Sequence, residues 1–194
     1  MTRTLIALVA LAVALPALAV QNPDIRIYLD ADPPNMVHQI CPAPDDVLDV
    51  FVCLDCFGPG GGMRGTVFRF IRTFGGIKIA QVNLLGGLDL GDVDDIQGWS
   101  IVAGEDCIHP DENGIVIAAR VSYLYTGPPG TLDLAPTPLL PRKVVDCDYT
   151  EDDLFCILAN LGVCVPPNPG ETDCDCGVVP VTAASWGSIK ALYR

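Results

Sequence analysis

The sequence is short of positive charge. Its 194 residues include 11 Lys and Arg against 24 Asp and Glu, which gives a formal net charge of -13 at pH 7. A protein of this charge repels the phosphate backbone that DNA- and RNA-binding proteins must neutralise. Hydrophobic residues nonetheless make up 50% of the chain, so a disordered polypeptide is not expected. The composition predicts a folded protein without a nucleic-acid partner.

Side chains that commonly carry catalysis are also scarce. His38 and His109 are the only histidines, and no serine lies in the G-x-S-x-G turn that many hydrolases use. A Cys and a His could together form an exported thiol enzyme, but cysteines of exported proteins are more often cross-linked than catalytic. The sequence therefore predicts that the protein is not an enzyme, with a thiol enzyme as the weaker alternative.

Long hydrophobic runs are absent except at the N-terminus. Arg3 precedes an apolar run over 5–15, Pro16 interrupts it, and Ala-Leu-Ala at 17–19 supplies the small residues that a signal peptidase recognises. The run is shorter than the roughly 20 residues that a membrane-spanning helix requires. We therefore expect a signal peptide over 1–19 and no transmembrane segment in the mature chain. The protein should be secreted or held at the cell surface, with the periplasm as the alternative.

Cysteine, in contrast, is abundant, and all of it follows the predicted cleavage site. Nine cysteines allow up to four disulfides with one thiol left over, and their connectivity cannot be deduced from the sequence. A zinc or redox site built from the C-x-x-C and C-x-C pairs is the less favoured alternative, because the pair spacings differ and export favours oxidation. The disulfide candidates are Cys41, Cys53, Cys56, Cys107, Cys147, Cys156, Cys164, Cys174 and Cys176.

Most of the chain consists of short strand-like runs separated by turns rich in Gly, Pro and Asp. The clearest run, 115–125, is expected to be a central strand. Its alternation predicts one face formed by Ile115, Ile117, Ala119, Val121, Tyr123 and Tyr125. Such runs at short intervals predict an all-β fold. We expect a mainly antiparallel β-sandwich, cohesin-like or immunoglobulin-like, over 20–166, stapled by disulfides.

Two earlier runs, 66–74 and 77–85, meet at the pair Gly75-Gly76. Two strands joined by such a pair are typical of a tight hairpin, so they are expected to hydrogen-bond to each other. A third run, 47–54, alternates in the same way as 115–125. It is expected to bury Leu48, Val50, Val52 and Leu54 on one face.

The C-terminal quarter is less regular. Apolar residues at helical spacing follow Thr150, so a short helix is expected over 150–161, with a last strand over 154–165 as the competing interpretation. The stretch 167–181 is rich in Cys and Pro and is predicted to be a linker. The final residues, 182–194, are predicted to be a separate tail.

A cluster of acidic residues occupies a glycine-flanked loop. Oxygen ligands suit Ca²⁺, which exported modules commonly bind weakly. However, the sixth position counted from the second of these residues is Gln97, where an EF-hand has Gly. A solvated acidic loop is therefore favoured, a Ca²⁺ site is the alternative, and no other cofactor is expected. The candidate ligands are Asp89, Asp92, Asp94 and Asp95.

The tail has a pattern of its own. Helical spacing puts Trp186, Ile189 and Tyr193 on one face, and Lys190 lies near the C-terminal end, where positive charge is favourable. This segment is a candidate interaction tail that could act as a sorting or docking signal. The equal alternative is a tail that packs back on its own domain or frays.

Two stretches resemble known exported proteins. They are Ile-Gln-Gly-Trp-Ser at 96–100 and the ending Ser-Trp-Gly-Ser-Ile-Lys-Ala-Leu-Tyr-Arg at 185–194. With the signal peptide, they resemble uncharacterised exported bacterial proteins that have a cohesin-type or immunoglobulin-like sandwich and a W-G-x-I-K-x-L-Y tail. The resemblance implies a secreted or surface binding role. It implies no cellulosome, because the chain has no dockerin-like repeat.

These observations lead to one functional prediction and one alternative. The prediction is a non-catalytic secreted or cell-surface interaction or structural module, whose partner is a protein or a glycan at the cell surface. The alternative is a carbohydrate-binding or Ca²⁺-dependent recognition domain. In that case Trp99, Tyr123 and Tyr125 could offer flat rings to a sugar, although the strand pattern favours core packing for the two tyrosines.

Overall fold

Thirteen β-strands form the fold, and no helix occurs among the residues that the structure describes. The computed structural model describes residues 24–58, 60–104, 106–138, 143–154, 156–171, 174 and 176. The predicted signal peptide and the tail 182–194 lie outside these residues. In chain order the strands are β1 (Arg26–Asp30), β2 (Gln39–Ile40), β3 (Val47–Asp55), β4 (Met63–Arg72), β5 (Gly76–Asn83), β6 (Gly86–Gly91), β7 (Trp99–Ala103), β8 (Val116–Tyr125), β9 (Gly130–Ala135), β10 (Lys143–Asp146), β11 (Glu151–Asp153), β12 (Cys156–Ile157) and β13 (Leu161–Val163).

The strands form two sheets. A five-stranded sheet has the order β12-β1-β3-β8-β5, and an eight-stranded sheet has the path β11-β10-β4-β9-β13-β2, with β7 joined to β4 and β6 joined to β7. Most neighbours are antiparallel, while β1–β12 and β13–β2 are parallel. The prediction of an all-β, disulfide-stapled sandwich is confirmed, and β8 lies between two partners as expected of a central strand.

A continuous apolar core lies between the two sheets. From the five-stranded sheet, the predicted inner face of β3 is buried as expected, with Leu48, Val50, Val52 and Leu54 all but inaccessible. The other sheet contributes Phe68 and Trp99, whose rings meet edge to face at 5.8 Å. Because Trp99 is 0% exposed, its ring cannot serve as a sugar platform in this fold. Tyr123 and Tyr125 are buried in the same core, as the strand pattern favoured.

A β-bulge corrects the predicted alternation of β8. Val52 pairs with Ala119 and Cys53 with Ile117, so Ala118 is the extra residue on β8. A bulge exchanges the two faces of a strand on its far side. Consequently Ala118 joins the main core, whereas Ile115 and Ile117 lie in a second cluster, away from the face to which they were assigned.

The predicted hairpin between the runs 66–74 and 77–85 is wrong. The chain crosses here from one sheet to the other, so β4 and β5 do not pair, and β5 pairs with β8 instead. Gly75 makes this crossing, since its amide donates to the Pro128 carbonyl and its carbonyl accepts from the Thr126 amide. A Cβ at Gly75 would lie 1.7 Å from the Gly127 carbonyl oxygen, so only glycine fits.

The predicted helix over 150–161 is also wrong. The segment forms the short strands β11 and β12 and continues into β13. Helical spacing misled because apolar residues occur almost throughout this stretch, and each short strand takes a different partner: β10, β1 and β9 respectively. The competing interpretation of a last strand within 154–165 is closer to the structure.

The stretch predicted as a linker is attached to the sandwich where it is described. Pro169 forms a β-bridge with Ala159. Cys174 is bonded to Cys156, and Cys176 to Cys56. The body of the protein therefore extends to Cys176 rather than ending at 166. Within the described ranges, no helix has the length and apolar composition needed to cross a membrane.

Candidate functional site

The outer side of the eight-stranded sheet carries apolar residues that no described part of the chain covers. Gly65 on β4 pairs with Val102 on β7 and with Val145 on β10, so these three residues form one row across the sheet. Leu88 and Leu90 extend the apolar surface onto β6 and are 77% and 74% exposed. We call Leu88, Leu90, Val102, Val145 and Tyr149 the outer apolar face.

A groove crosses this face because one position in the row has no side chain. Gly65 lies between Val102 and Val145, and a Cβ there would lie 2.7 Å from the carbonyl oxygen of Ile101. The recess has a volume of about 340 Å³ and is mostly apolar. It is lined by Arg64, Gly65, Val102, Ala103, Gly104, Val145 and Tyr149. We refer to it as the Gly65 groove.

Tyr149 forms one wall of the groove and is held there by its turn. It lies between β10 and β11 with a φ of 62°, a left-handed conformation that costs energy for a residue other than glycine. The carboxylate of Asp146 accepts hydrogen bonds from the amides of Asp148 and Thr150 at 2.9 and 2.8 Å, which stabilises this turn. The ring is 73% exposed. The turn therefore presents an aromatic ring to solvent beside the groove.

Two further contacts fix the same wall. The guanidinium of Arg64 lies over the Tyr149 ring at 4.3 Å, and its Nε donates to the Cys147 carbonyl at 3.3 Å. The disulfide Cys107–Cys147 ties the turn to the loop that follows β7. The ring, the cation and the groove floor are therefore held in a defined arrangement before any partner arrives.

The outer backbone edge of β6, which borders this face, is partly closed. β6 pairs with β7 on one side. On the other side, the amide groups of Gln81 and Asn83 on β5 donate to the carbonyls of Gly91 and Leu88, both at 3.0 Å. Side-chain donors on an edge hinder the addition of another strand. A partner is therefore expected to bind the side-chain surface rather than to extend the sheet.

The outer side of the five-stranded sheet differs in part, because one apolar cluster there is covered, whereas Val47, Ile77 and Ile79 of the same sheet are exposed. Tyr28 and Cys53 are 0% exposed and cluster with Ile115. Leu158 packs on this cluster, and the Tyr28 ring meets His38 edge to face at 5.9 Å. We call Tyr28, Cys53, Ile115, Ile117 and Leu158 the covered cluster.

Arg26 and disulfides hold the chain that follows Cys156 against this sheet. Arg26 donates to both carboxylate oxygens of Asp55, at 2.8 and 2.5 Å, and to the carbonyl of Cys174 at 2.6 Å. The bonds Cys156–Cys174 and Cys56–Cys176 attach the segment at two points. The segment 156–176, where described, is therefore a fixed cover.

Eight of the nine candidate cysteines form disulfides. The pairs are Cys41–Cys164, Cys56–Cys176, Cys107–Cys147 and Cys156–Cys174. The remaining thiol is Cys53, which is buried. The C-x-x-C pair is therefore divided between a free thiol and a bridge and does not form a redox pair. Disulfides of this number are typical of proteins that mature outside the cytoplasm.

The surroundings of the free thiol disfavour its thiolate form. Burial raises the pKa of Cys53, and the nearby carboxylates of Asp30 and Asp55 raise it further. His109 lies beside the Cys107–Cys147 bridge, with its Nδ1 3.0 Å from the Gly61 carbonyl. His38 has its Nδ1 2.7 Å from the Leu29 carbonyl. The Nδ1 atom of each histidine is therefore already in contact with a backbone carbonyl oxygen.

The four acidic residues lie on β6 and in the loop that follows it. Asp89 lies on β6, while Lys78 forms ion pairs with Asp92 and, at 4.0 Å, with Asp94. Partial burial raises the pKa of Asp92, but the hydrogen bonds from Lys78 and from the Asp94 amide, together with the charge of Lys78, outweigh it, and the net shift is downward. The Tyr123 hydroxyl donates to Asp94 at 3.0 Å, and Asp95 accepts from the Gln97 amide at 3.2 Å. Ca²⁺ binding at this loop remains a prediction.

The interaction-tail residues Trp186, Ile189, Lys190 and Tyr193 lie outside the described residues.

Sequence reasoning overlooked Tyr149, although the sequence contains a signal for it. The string Asp-Cys-Asp-Tyr-Thr at 146–150 contains two Asp residues that are typical of a side-chain-capped turn. An aromatic residue in such a turn projects into solvent.

Comparisons with protein-family models, with curated proteins and with solved structures find no match to this chain.

Proposed function

We propose that the protein is a non-catalytic interaction module that is exported to the cell surface or beyond and binds its partner through the outer apolar face. The observation that carries the proposal is the exposure of Leu88, Leu90 and Tyr149 around the Gly65 groove. Contiguous exposed apolar surface on a soluble fold marks interaction sites. On the other sheet the cluster around Tyr28 and Cys53 is covered, whereas Val47, Ile77 and Ile79 are exposed.

The setting of this face supports a binding role. Its strands belong to the sheet, its turn is tied down by the bridge Cys107–Cys147, and its aromatic ring is backed by Arg64. A rigid surface loses little conformational entropy on binding, which favours affinity. The disulfides and the predicted signal peptide favour a location outside the cytoplasm. The resemblance to exported proteins with cohesin-type or immunoglobulin-like sandwiches agrees with this proposal.

One observation favours a second candidate, carbohydrate binding. Tyr149 presents an accessible ring beside a groove, and aromatic faces with polar edges suit sugar rings. The ring that the sequence offered for this purpose, Trp99, is buried. A glycan would therefore have to use Tyr149, whereas a protein partner would also contact Leu88 and Leu90.

The test measures retention of the purified protein on washed producing cells and on insoluble polysaccharide. The double variant Leu88→Asp/Leu90→Asp should lower retention on cells at least about tenfold, equivalent to about 1.4 kcal/mol. The matched control is Val47→Asp, which alters an exposed residue of the five-stranded sheet. Equal retention of wild type and the double variant would refute the proposal.

Two further variants separate the candidate partners. If the ligand is a glycan, Tyr149→Ala should abolish binding to polysaccharide while Tyr149→Phe retains it, and soluble sugar should compete. If the ligand is a protein, Leu88→Asp/Leu90→Asp should be the more damaging change and sugar should have no effect. A Ca²⁺-dependent mode would appear as loss of retention in chelator.

A further inference from the structure

We propose that the segment 182–194 of this chain docks in cis on the outer apolar face, with Trp186 in or beside the Gly65 groove. The proposal concerns the same surface as the proposed function, and it names an occupant that a partner must displace. It therefore adds a regulatory step, in which the chain covers its own binding face until a partner competes for it.

The apolar pattern of the segment fits this surface. The spacing of Trp186, Ile189 and Tyr193 places them on one side of a helix. The surface offers apolar side chains on adjacent strands and one recess of about 340 Å³. Apolar contact of this kind removes exposed surface from water on both sides, which is the main driving force for association.

Charge complementarity supports the same placement. The segment 182–194 contains Lys190 and Arg194 and no acidic residue. Acidic residues surround the groove: Asp148 precedes Tyr149 in the exposed turn, and Glu151 pairs with Val145 across β10 and β11. Opposite charges around an apolar contact favour the correct orientation of the two surfaces. Arg64, the cation in the groove wall, is already stacked on Tyr149 and bonded to the Cys147 carbonyl.

The connection is long enough for docking in cis. Cys176 is anchored to Cys56 with a Cα–Cα distance of 5.2 Å. Eight residue steps separate Cys56 from Arg64, which places the groove at most about 29 Å from that anchor. Ten steps separate Cys176 from Trp186, and an extended chain of that length reaches about 36 Å. Even at the greatest separation that the chain allows, Trp186 can reach the groove.

The tether also explains why the chain's own segment should prevail over that of a second molecule. A short connection gives the attached segment an effective concentration in the millimolar range. Weak apolar and charge contacts are sufficient for docking under that condition. The same contacts would be too weak to hold a separate peptide at micromolar concentration.

The experiment uses the emission of Trp186 in the full chain. Subtracting the spectrum of Trp186→Phe from that of wild type isolates Trp186, because Trp99 is present in both and is fully buried. Docking predicts blue-shifted emission and slow quenching by acrylamide, independent of protein concentration. Leu88→Asp/Leu90→Asp and the tail variant Lys190→Glu/Arg194→Glu should each lower the docked-to-free ratio about tenfold, equivalent to about 1.4 kcal/mol.

Val47→Asp should leave the quenching of Trp186 unchanged. The proposal is overturned if Trp186 in wild type is quenched as fast as free indole, or if its protection does not respond to either double variant. Protection that grows with protein concentration would also overturn it, since that result indicates docking between molecules. The tail variant leaves the folded body unaltered, so the result does not depend on how the Leu variants fold.

Failure of this inference can be told from failure of the proposed function. A chain ending at residue 181 should be retained on cells more strongly than the full chain, because its face is no longer covered. Retention equal to that of the full chain overturns cis docking but leaves the interaction module intact. Loss of retention caused by Leu88→Asp/Leu90→Asp in the chain ending at residue 181 tests the module itself, because that chain has no tail to dock.

Discussion

Two apolar clusters, one on the outer side of each sheet, have opposite environments. On the five-stranded sheet, the covered cluster is closed off by the segment that carries Leu158, and this segment is attached through two disulfides. On the eight-stranded sheet the outer apolar face is open, and its turn is held in place by a disulfide and by Arg64. The described chain thus covers the cluster on the five-stranded sheet and leaves the outer apolar face open. The contrast supports the proposal that the second surface serves for binding.

The largest expected difference between the two faces is how much the free energy of unfolding falls when a side chain is truncated. Tyr28→Ala should lower the free energy of unfolding by about 3–5 kcal/mol, because it leaves a cavity in the covered cluster. Leu90→Ala, on the open face, should change it by no more than about 0.5 kcal/mol. Urea denaturation of the non-reduced protein measures both. Similar costs for the two variants would contradict the division into covered and open faces.

Releasing the cover should have the next largest effect. Cys156→Ser/Cys174→Ser removes a bridge with a sequence separation of 18 residues, which should cost about 3 kcal/mol. It should also make Cys53 reactive toward a thiol reagent, since Leu158 then packs less firmly over it. Cys107→Ser/Cys147→Ser opens the turn on the other face and should leave Cys53 unreactive. Equal labelling of Cys53 in both variants would show that the segment is not its cover.

Alkaline pH should destabilise the covered side first. Burial raises the pKa of Cys53 and of Tyr28, so the folded state holds both protons more tightly than the unfolded state. The stability that this provides is complete below the unfolded pKa values and is lost as the pH rises above about 8.5 for Cys and about 10 for Tyr. Each group contributes a slope of about 1.4 kcal/mol per pH unit in its window.

Urea midpoints at pH 7, 8.5 and 10 measure this loss. Cys53→Ala should show a smaller decrease than wild type between pH 8.5 and 10. Parallel curves for the two proteins would argue that Cys53 does not remain protonated in the folded state.

A more conservative change at Tyr28 should stabilise the protein. Its hydroxyl is buried and has no hydrogen-bond partner within the part of the chain that the structure describes. Tyr28→Phe removes this group and keeps the ring, so the free energy of unfolding should rise by about 1 kcal/mol. Thermal unfolding at neutral pH measures the change. A decrease would indicate that the hydroxyl is hydrogen-bonded after all.

The smallest expected change in stability comes from conservative substitutions on the open face. Leu88→Thr/Leu90→Thr replaces two exposed side chains by residues that suit a strand, so stability should change by less than about 0.5 kcal/mol. In a chain ending at residue 181, the same double variant should bind less of an environment-sensitive hydrophobic dye than the chain that keeps both leucines. A marked loss of stability would mean that these leucines contribute to the folded core.

Features that depend on residues close together in the sequence were predictable from it. Alternation in β3 correctly identified Leu48, Val50, Val52 and Leu54 as buried, and turn residues and cysteine content correctly indicated a disulfide-stapled all-β fold. The bulge at Ala118 was not predictable, because one extra residue leaves no mark in a run that is apolar on both sides. It nevertheless decides that Ile115 and Ile117 belong to the covered cluster.

The candidate site was less accessible to sequence reasoning. Its row joins β6, β7, β4 and β10, whose order in the sheet does not follow their order in the chain. Gly65 is one glycine among 19, and only its pairing with Val102 and Val145 shows that it forms the floor of a groove. The acidic loop, which attracted attention by composition, forms ion pairs with Lys78, a residue that no local pattern connects to it.

Two of the disulfides join residues that are 123 and 120 positions apart. Every peptide bond between Cys56 and Cys164 lies inside at least one of these loops, so a single cut by a protease there separates no fragment from the rest. A protein with this arrangement can be nicked in a surface turn and still remain one covalent molecule, so proteolysis at that turn need not release any part of it.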